Sequence, residues 1–201
     1  MTVEGRWNHN IHYHRVVLGA LPTGCARALD VGCGEGMLAR QLRRAGVPEV
    51  VGIDPDEPSI ALAEATSSDD GLKYVVGDVR DDVVQPGSFD LVASIATLHH
   101  MDAREGLTRV RELVRPGGVL VVVGLARPRG VKDLAVEPAS VVAMVYRRLL
   151  RQQYWEHSAP TVWPPPETYG GMRRIARQVL PGVRYRRHLY WRYSLVWRAP
   201  A

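Results

Sequence analysis

The chain has 201 residues, 46% of them apolar, two cysteines and a formal net charge of +5. That length suits one domain able to bury roughly 70% of the surface its unfolded chain exposes, and the apolar content excludes disordered and fibrous classes. The polar N-terminus lacks the apolar core of a secretory leader, and the longest central apolar run, Val119 to Ala126, is far short of the ~18 residues a membrane span needs. With Cys25 and Cys33 in no ligand-like pattern, the expectation is a cytoplasmic protein with reduced thiols and no membrane association.

Residues 1–24 read as a flap: Trp7 to His14 carries His9, His12, Tyr13 and His14, a short apolar pattern follows from Val16 to Leu21, and Pro22-Thr23-Gly24 breaks the chain. Ala28 to Val31 predicts a buried strand, opening into a loop where Gly32, Gly34 and Gly36 alternate. A helix from Met37 to Ala45 then sets Leu38 and Leu42 on one face and closes at Gly46. Val50 to Asp54 is a second strand, and Pro55-Asp56-Glu57-Pro58 starts a helix through Ile60, Leu62 and Ala63. Asp56 and Glu57 read as helix N-terminal charges. Leu72 to Val76 and Phe89 to Ser94 are the third and fourth strands. A helix from Ala103 to Val114 and the turn Pro116-Gly117-Gly118 lead into the fifth, Val119 to Gly124.

From Arg127 the rhythm changes. Residues 127–166 read as an insertion capping the substrate site, with a helix from Asp133 to Gln153 and then Tyr154, Trp155, His157 and Trp163 as aromatic surface; the alternatives are that the helix buries Val141, Val145 and Leu149 in the core or makes a dimer contact. A helix over Glu167 to Leu180 follows, and Val183 to Arg187 with Tyr193 to Arg198 form an antiparallel hairpin at the sheet edge. The fold expected is α/β, a three-layer αβα, Rossmann-like, doubly wound and mostly parallel seven-stranded sheet with an antiparallel C-terminal hairpin, in a single domain over 1–201. Ligands of such sheets bind beyond the carboxyl ends of the strands.

A glycine at every second position lets a ligand approach the backbone closely, and the helix that follows points unpaired N–H groups into the same space. Nicotinamide, flavin and adenosyl sulfonium cofactors all suit such a domain. The spacing here is Asp30-x-Gly32-x-Gly34-x-Gly36 rather than the dinucleotide fingerprint, and Glu35 sets a carboxylate where a pyrophosphate would be repelled. A phosphate-free cofactor fits better.

Over about Arg27 to Leu125 the chain resembles the class I S-adenosylmethionine-dependent methyltransferases. The residues that carry the resemblance are Leu29 to Gly36, Gly52-Ile53-Asp54, Val76-Gly77-Asp78-Val79, Phe89-Asp90-Leu91-Val92, Leu98-His99-His100 and Leu113 to Gly118. It implies S-adenosylmethionine as methyl donor and S-adenosylhomocysteine as product. Asp54 would take the ribose hydroxyls, Asp78 the adenine amino group and Val79 N–H a ring nitrogen. The backbone of Gly32, with Asp30 behind it, would take the methionine ammonium, and Cys33, Gly34, Pro55 and Ser94 are the remaining cofactor contacts expected. His99 follows the fourth strand, where an unperturbed pKa near ~6.5 suits a general base, with Tyr13 or a flap histidine (His12, His14) as partner and His100 as a second candidate. The alternative is that the His-His pair only packs against the next helix.

No metal is expected. His9, His12 and His14 as a set have neither clean helical nor clean strand ligand spacing, and Ser94 and Ala96 stand where metal-dependent catechol-type relatives carry an acidic ligand. The acceptor expected is a small molecule methylated on O, N or C, in a monomer or homodimer. Ser94-Ile95-Ala96-Thr97 departs from the motif of nucleic-acid amine methyltransferases, and the arginines after Glu167 read first as a solvated edge face. An RNA or protein methyltransferase using that basic tail, and a non-catalytic cofactor-binding regulator or scaffold, are the competing readings.

Overall fold

The computed structural model describes residues 8–130 and 163–201. Its elements in chain order are α1 (His9–His12), α2 (His14–Leu18), β1 (Arg27–Val31), α3 (Met37–Arg44), β2 (Glu49–Asp54), α4 (Glu57–Ala65), β3 (Leu72–Val76) and β4 (Phe89–Ile95). They continue with a 3-10 turn (Leu98–His100), α5 (Ala103–Glu112), β5 (Val114–Leu125), α6 (Tyr169–Val179), β6 (Arg184–Arg187) and β7 (Arg192–Arg198). The strands form one seven-stranded sheet in the order β3-β2-β1-β4-β5-β7-β6. β7 runs antiparallel between β5 and β6, and the other neighbouring pairs are parallel. This is the mostly parallel sheet with a C-terminal hairpin that the alternation predicts.

The apolar strands are buried on both faces because helices cover both. On one face Leu38 and Leu42 of α3, with Tyr13 and Val17 of the flap, meet Leu91, Val119 and Val121. On the other, Leu107 and Val110 of α5 and Met172 and Ala176 of α6 meet Val92, Leu120 and Val122. Side chains of β5 thus alternate between two cores. Helix starts follow their capping residues: Asp56 accepts from Ser59 N–H (3.1 Å) at α4, and Asp102 from Arg104 and Glu105 N–H (3.0 and 2.9 Å) at α5.

Chain order reverses between β1 and β4, which opens a crevice at their carboxyl ends. The opposite end is tied shut. Buried Asp90 accepts from Ala26 and Arg27 N–H (2.9 and 2.8 Å) and pairs with Arg115, so this acid of the resemblance anchors strand starts, away from the crevice.

Two expectations shift. α5 ends at Glu112, and β5 starts at Val114, running through the Pro-Gly-Gly turn with Gly117 at φ 73°. In the flap, where the apolar pattern reads as one helix ending at Leu21, two short helices meet at Tyr13 and the second ends at Leu18. The expected helix from Asp133 to Gln153, and Tyr154, Trp155 and His157, lie outside the described residues.

Candidate active site

A cavity of about 680 Å³ fills the crevice, within the range usual for small-molecule sites. Its floor is the glycine loop. Gly32 and Cys33 N–H donate to the Ile53 carbonyl (2.8 and 3.1 Å), and Gly34 N–H donates to Asp54 Oδ2 (2.8 Å). Gly32 sits at φ 73°, and a Cβ there would drive into the Thr97 side chain, whose hydroxyl is fixed between the Val31 and Ile95 carbonyls. Only glycine satisfies both the backbone angle and the space. Gly36, the N-cap of α3, is likewise left-handed at φ 72° and offers no side-chain cap, so the first N–H groups of α3 face the loop.

Asp54 is held from both sides. Oδ2 takes the Gly34 N–H and Oδ1 the Asp56 N–H (2.9 Å), which orients the carboxylate along the cavity wall. Asp78, at the end of β3, is gripped by Arg80 through Nη2 (2.6 Å) and Nε (3.0 Å), and these hydrogen bonds hold its carboxyl below the usual carboxylate range. Asp30 is different. It is 2% exposed, its Oδ2 makes no hydrogen bond among the described residues, and burial, with Asp54 adding its charge, pushes its pKa up to about 7. A buried carboxyl oxygen without a partner, on a cavity wall, suits a cationic ligand group.

Across the cavity stand His99 and His100, delivered by the 3-10 turn after β4, with ring centroids 4.1 Å apart. His99 Nδ1 is buried and makes no hydrogen bond among the described residues. Burial first, then the charges of His100 and Arg192, lower its pKa to about 4, so at neutral pH the imidazole is uncharged. His100 is exposed; burial lowers its pKa and Asp54 works the other way. Ala96, between them and β4, is non-glycine yet sits at φ 55°, a strained angle at the cavity wall.

Of the residues expected from sequence, Asp30, Gly32, Cys33, Asp54, Pro55, Asp78, Val79, His99 and His100 line the cavity together. Gly34 acts through its N–H to Asp54. Ser94 is fully buried in β4, outside the lining. Tyr13 also departs from expectation: it is buried outside the lining, and its hydroxyl donates to the Leu189 carbonyl (2.9 Å) with its pKa pushed up to about 12 by burial. It locks the flap to the β6–β7 connection, and the flap presents Asn8, Asn10, Ile11 and His14 to the cavity instead, His14 being fixed by Gln41 (2.8 Å).

Sequence reasoning assigned Arg192 to the solvated tail. It is 8% exposed and lines the cavity at the start of β7, opposite Leu125, with Nη2 on Asn10 Oδ1 (2.7 Å) and Nη1 on the Tyr190 carbonyl (3.2 Å). Nothing in its neighbourhood distinguishes it from Arg184 or Arg186, which face solvent on the edge strand β6. Among the described residues, no group of three or more His, Cys, Asp or Glu side chains is placed to hold a metal, and no helix is long and apolar enough to cross a membrane.

Residues 29–122 match the family model described as a methyltransferase domain. Uncharacterized methyltransferases of Mycobacterium bovis and Mycobacterium tuberculosis are 38% identical over 96% of this chain and 98% of theirs. The chain belongs to the class I S-adenosylmethionine-dependent methyltransferases. A ubiquinone biosynthesis O-methyltransferase of Rhizobium rhizogenes is 32% identical over 79% of the chain and 64% of its own length. The fold of this methyltransferase matches that of a solved S-adenosylmethionine-dependent methyltransferase from Mesorhizobium loti, with a TM-score of 0.62 and 20% identity over 93% of this chain and 96% of that one. The methyltransferase site fits the family's cofactor on its own chemistry: the orphaned Asp30 oxygen suits an ammonium, and the bare backbone at Gly32 leaves space that a side chain would fill.

Proposed function

We propose that the protein methylates a hydroxyl of a small molecule with S-adenosylmethionine as donor. The observation that carries the proposal is that buried Asp30, the Gly32 backbone and half-buried Asp54 line one cavity with an uncharged His99. Asp54 would hold the ribose hydroxyls, Asp78 and the Val79 N–H the adenine, and Asp30 with the Gly32 backbone the ammonium. When bound, the cofactor supplies an electrophilic methyl on a sulfonium sulfur. The protein's share is to align the acceptor and exclude water.

His99 takes the acceptor's proton at its ring nitrogen. A pKa of about 4 makes it too weak to ionise a phenol beforehand. It suffices all the same, because a hydroxyl oxygen that gains a carbon substituent becomes strongly acidic. The O-methyltransferase name of the Rhizobium relative supports oxygen over nitrogen or carbon. The tail supports a small acceptor over RNA: Arg173, Arg174 and Arg177 are on α6, Arg184 and Arg186 on the β6 edge, and Arg187 covers the Tyr169 ring at 3.9 Å, so the basic residues form no single track.

Calorimetry with S-adenosylhomocysteine tests the reading. Binding at tens of micromolar or tighter is expected, and Asp54→Ala should weaken it on the order of 100-fold, since a charged hydrogen-bonding group and the loop's anchor are lost together. No binding by the parent protein would refute the cofactor assignment.

A further inference from the structure

Charge is sorted across the cavity. Its carboxylates, Asp30, Glu35, Asp54, Asp56 and Asp78, all belong to the ends of β1, β2 and β3 and the loops that follow them. Arg80 lines the same wall, bound to Asp78; among the described residues, the facing half lined by Asn10, Ile11, His14, His99, Leu125 and Arg192 takes its permanent charge from the Arg192 guanidinium. The acidic half matches a cationic cofactor. The other half matches the opposite sign.

The protein invests in placing this cation. A buried guanidinium carries a desolvation cost that a surface arginine avoids. Arg192 is nevertheless gripped by the flap through Asn10, 182 positions away, and by the Tyr190 carbonyl. The two residues before it, Tyr190 and Trp191, are non-glycine residues in the left-handed region at φ 60° and 55°. Two bulky residues in that region persist only where the surroundings hold them there. His9 stacks on Tyr190 (4.4 Å) and Trp163 meets Trp191 edge-on (5.9 Å), which supplies the hold. The strained turn aims β7 so that its first side chain enters the cavity. There its charge reaches the ring of His99.

Resting on the small-molecule reading above, we propose that Arg192 selects an acceptor bearing an anionic oxygen, a carboxylate or an acidic hydroxyl, and seats it against the start of β7 with its reactive atom toward His99. Guanidinium matches a carboxylate in two parallel hydrogen bonds, and a neutral amide of the same shape forfeits the charge-assisted part. Asn10 is the positioning residue. It ties Arg192 to the flap.

The test uses hydroxylated aromatic carboxylates, each paired with its own primary amide, titrated by ligand-observed NMR with and without saturating S-adenosylhomocysteine. Each acid that binds should do so at least about tenfold more tightly than its amide. Arg192→Gln should bring that ratio near one, Arg192→Lys should keep part of it, and Arg184→Gln on the exposed edge should leave it intact. Asn10→Ala, which keeps the charge, should lower the ratio without removing it if Arg192→Gln does not fold. Equal binding of acid and amide by the parent protein, no binding of any acid, or a preference that survives Arg192→Gln overturns the assignment. Failure to bind S-adenosylhomocysteine counts against the cofactor reading alone, because the acid-to-amide ratio is read in its absence as well.

Discussion

The half of the cavity proposed for the cofactor takes its acids from Asp30, Asp54 and Asp78, each at or just beyond the end of a neighbouring strand, whereas the half proposed for the acceptor joins Asn10 of the flap, His99 after β4 and Arg192 at the start of β7. The first set is held by near neighbours and adjacent strand ends: Asp54 by the N–H groups of Gly34 and Asp56, and Asp78 by Arg80 two positions on. The second is held by docking: the Tyr13 hydroxyl on Leu189, His9 on Tyr190, and Arg192 on Asn10. A change to the sheet therefore reaches both halves, and a change to the flap reaches one.

The largest effect should come from Gly32→Ala. The added methyl collides with Thr97 and forces alanine to φ 73°, which together should cost on the order of 1–3 kcal/mol of stability and abolish S-adenosylhomocysteine binding in calorimetry. A variant that bound normally would show that the loop is not the cofactor floor.

Acidity separates the halves next, with opposite signs. Native Asp30 keeps its proton to about pH 7, while an unfolded aspartate releases it near 3.8, so raising pH between those values destabilises the ligand-free protein. His99 runs the other way: unfolded it titrates near 6.5 and native near 4, so stability is lost as pH falls from 6.5 toward 4. Thermal melts of the ligand-free protein should show Asp30→Asn flattening the loss as pH rises from 3.8 toward 7 and His99→Gln easing the loss as pH falls from 6.5 toward 4. The gain in melting temperature with saturating S-adenosylhomocysteine should increase from pH 5 to 8, as the ammonium meets an ionised Asp30; a gain independent of pH would remove Asp30 from the ammonium site.

The smallest effect sharpens the comparison most. Tyr13→Phe deletes one buried hydrogen bond and should cost about 1 kcal/mol, seen as a drop of a few degrees in melting temperature. S-adenosylhomocysteine affinity should stay within about twofold. A large loss of cofactor affinity would mean that the flap serves both halves.

Local pattern carried the cofactor half. Strand ends, helix starts and the glycine spacing are relations among residues a few positions apart, so Asp30, Gly32, Asp54 and Asp78 could be placed at one sheet edge from the chain alone. Tyr13 and Ser94 show where that stops. Both stand at the right positions along the chain, but the direction of a side chain depends on what packs against it. Leu189, 176 positions away, takes the Tyr13 hydroxyl, and both cores close over Ser94 in a strand buried on each face.

By itself the sequence determined the alternating architecture, the glycine-loop floor and the sign of charge on the cofactor wall, because periodicity and backbone sterics act between near neighbours. Only the tertiary structure decided that Arg192 leaves the basic tail for the cavity and that His99 is an uncharged imidazole. Burial, and the shifts in ionisation that follow from it, are set by the flap and β7 meeting across 182 positions, and no local pattern encodes that meeting.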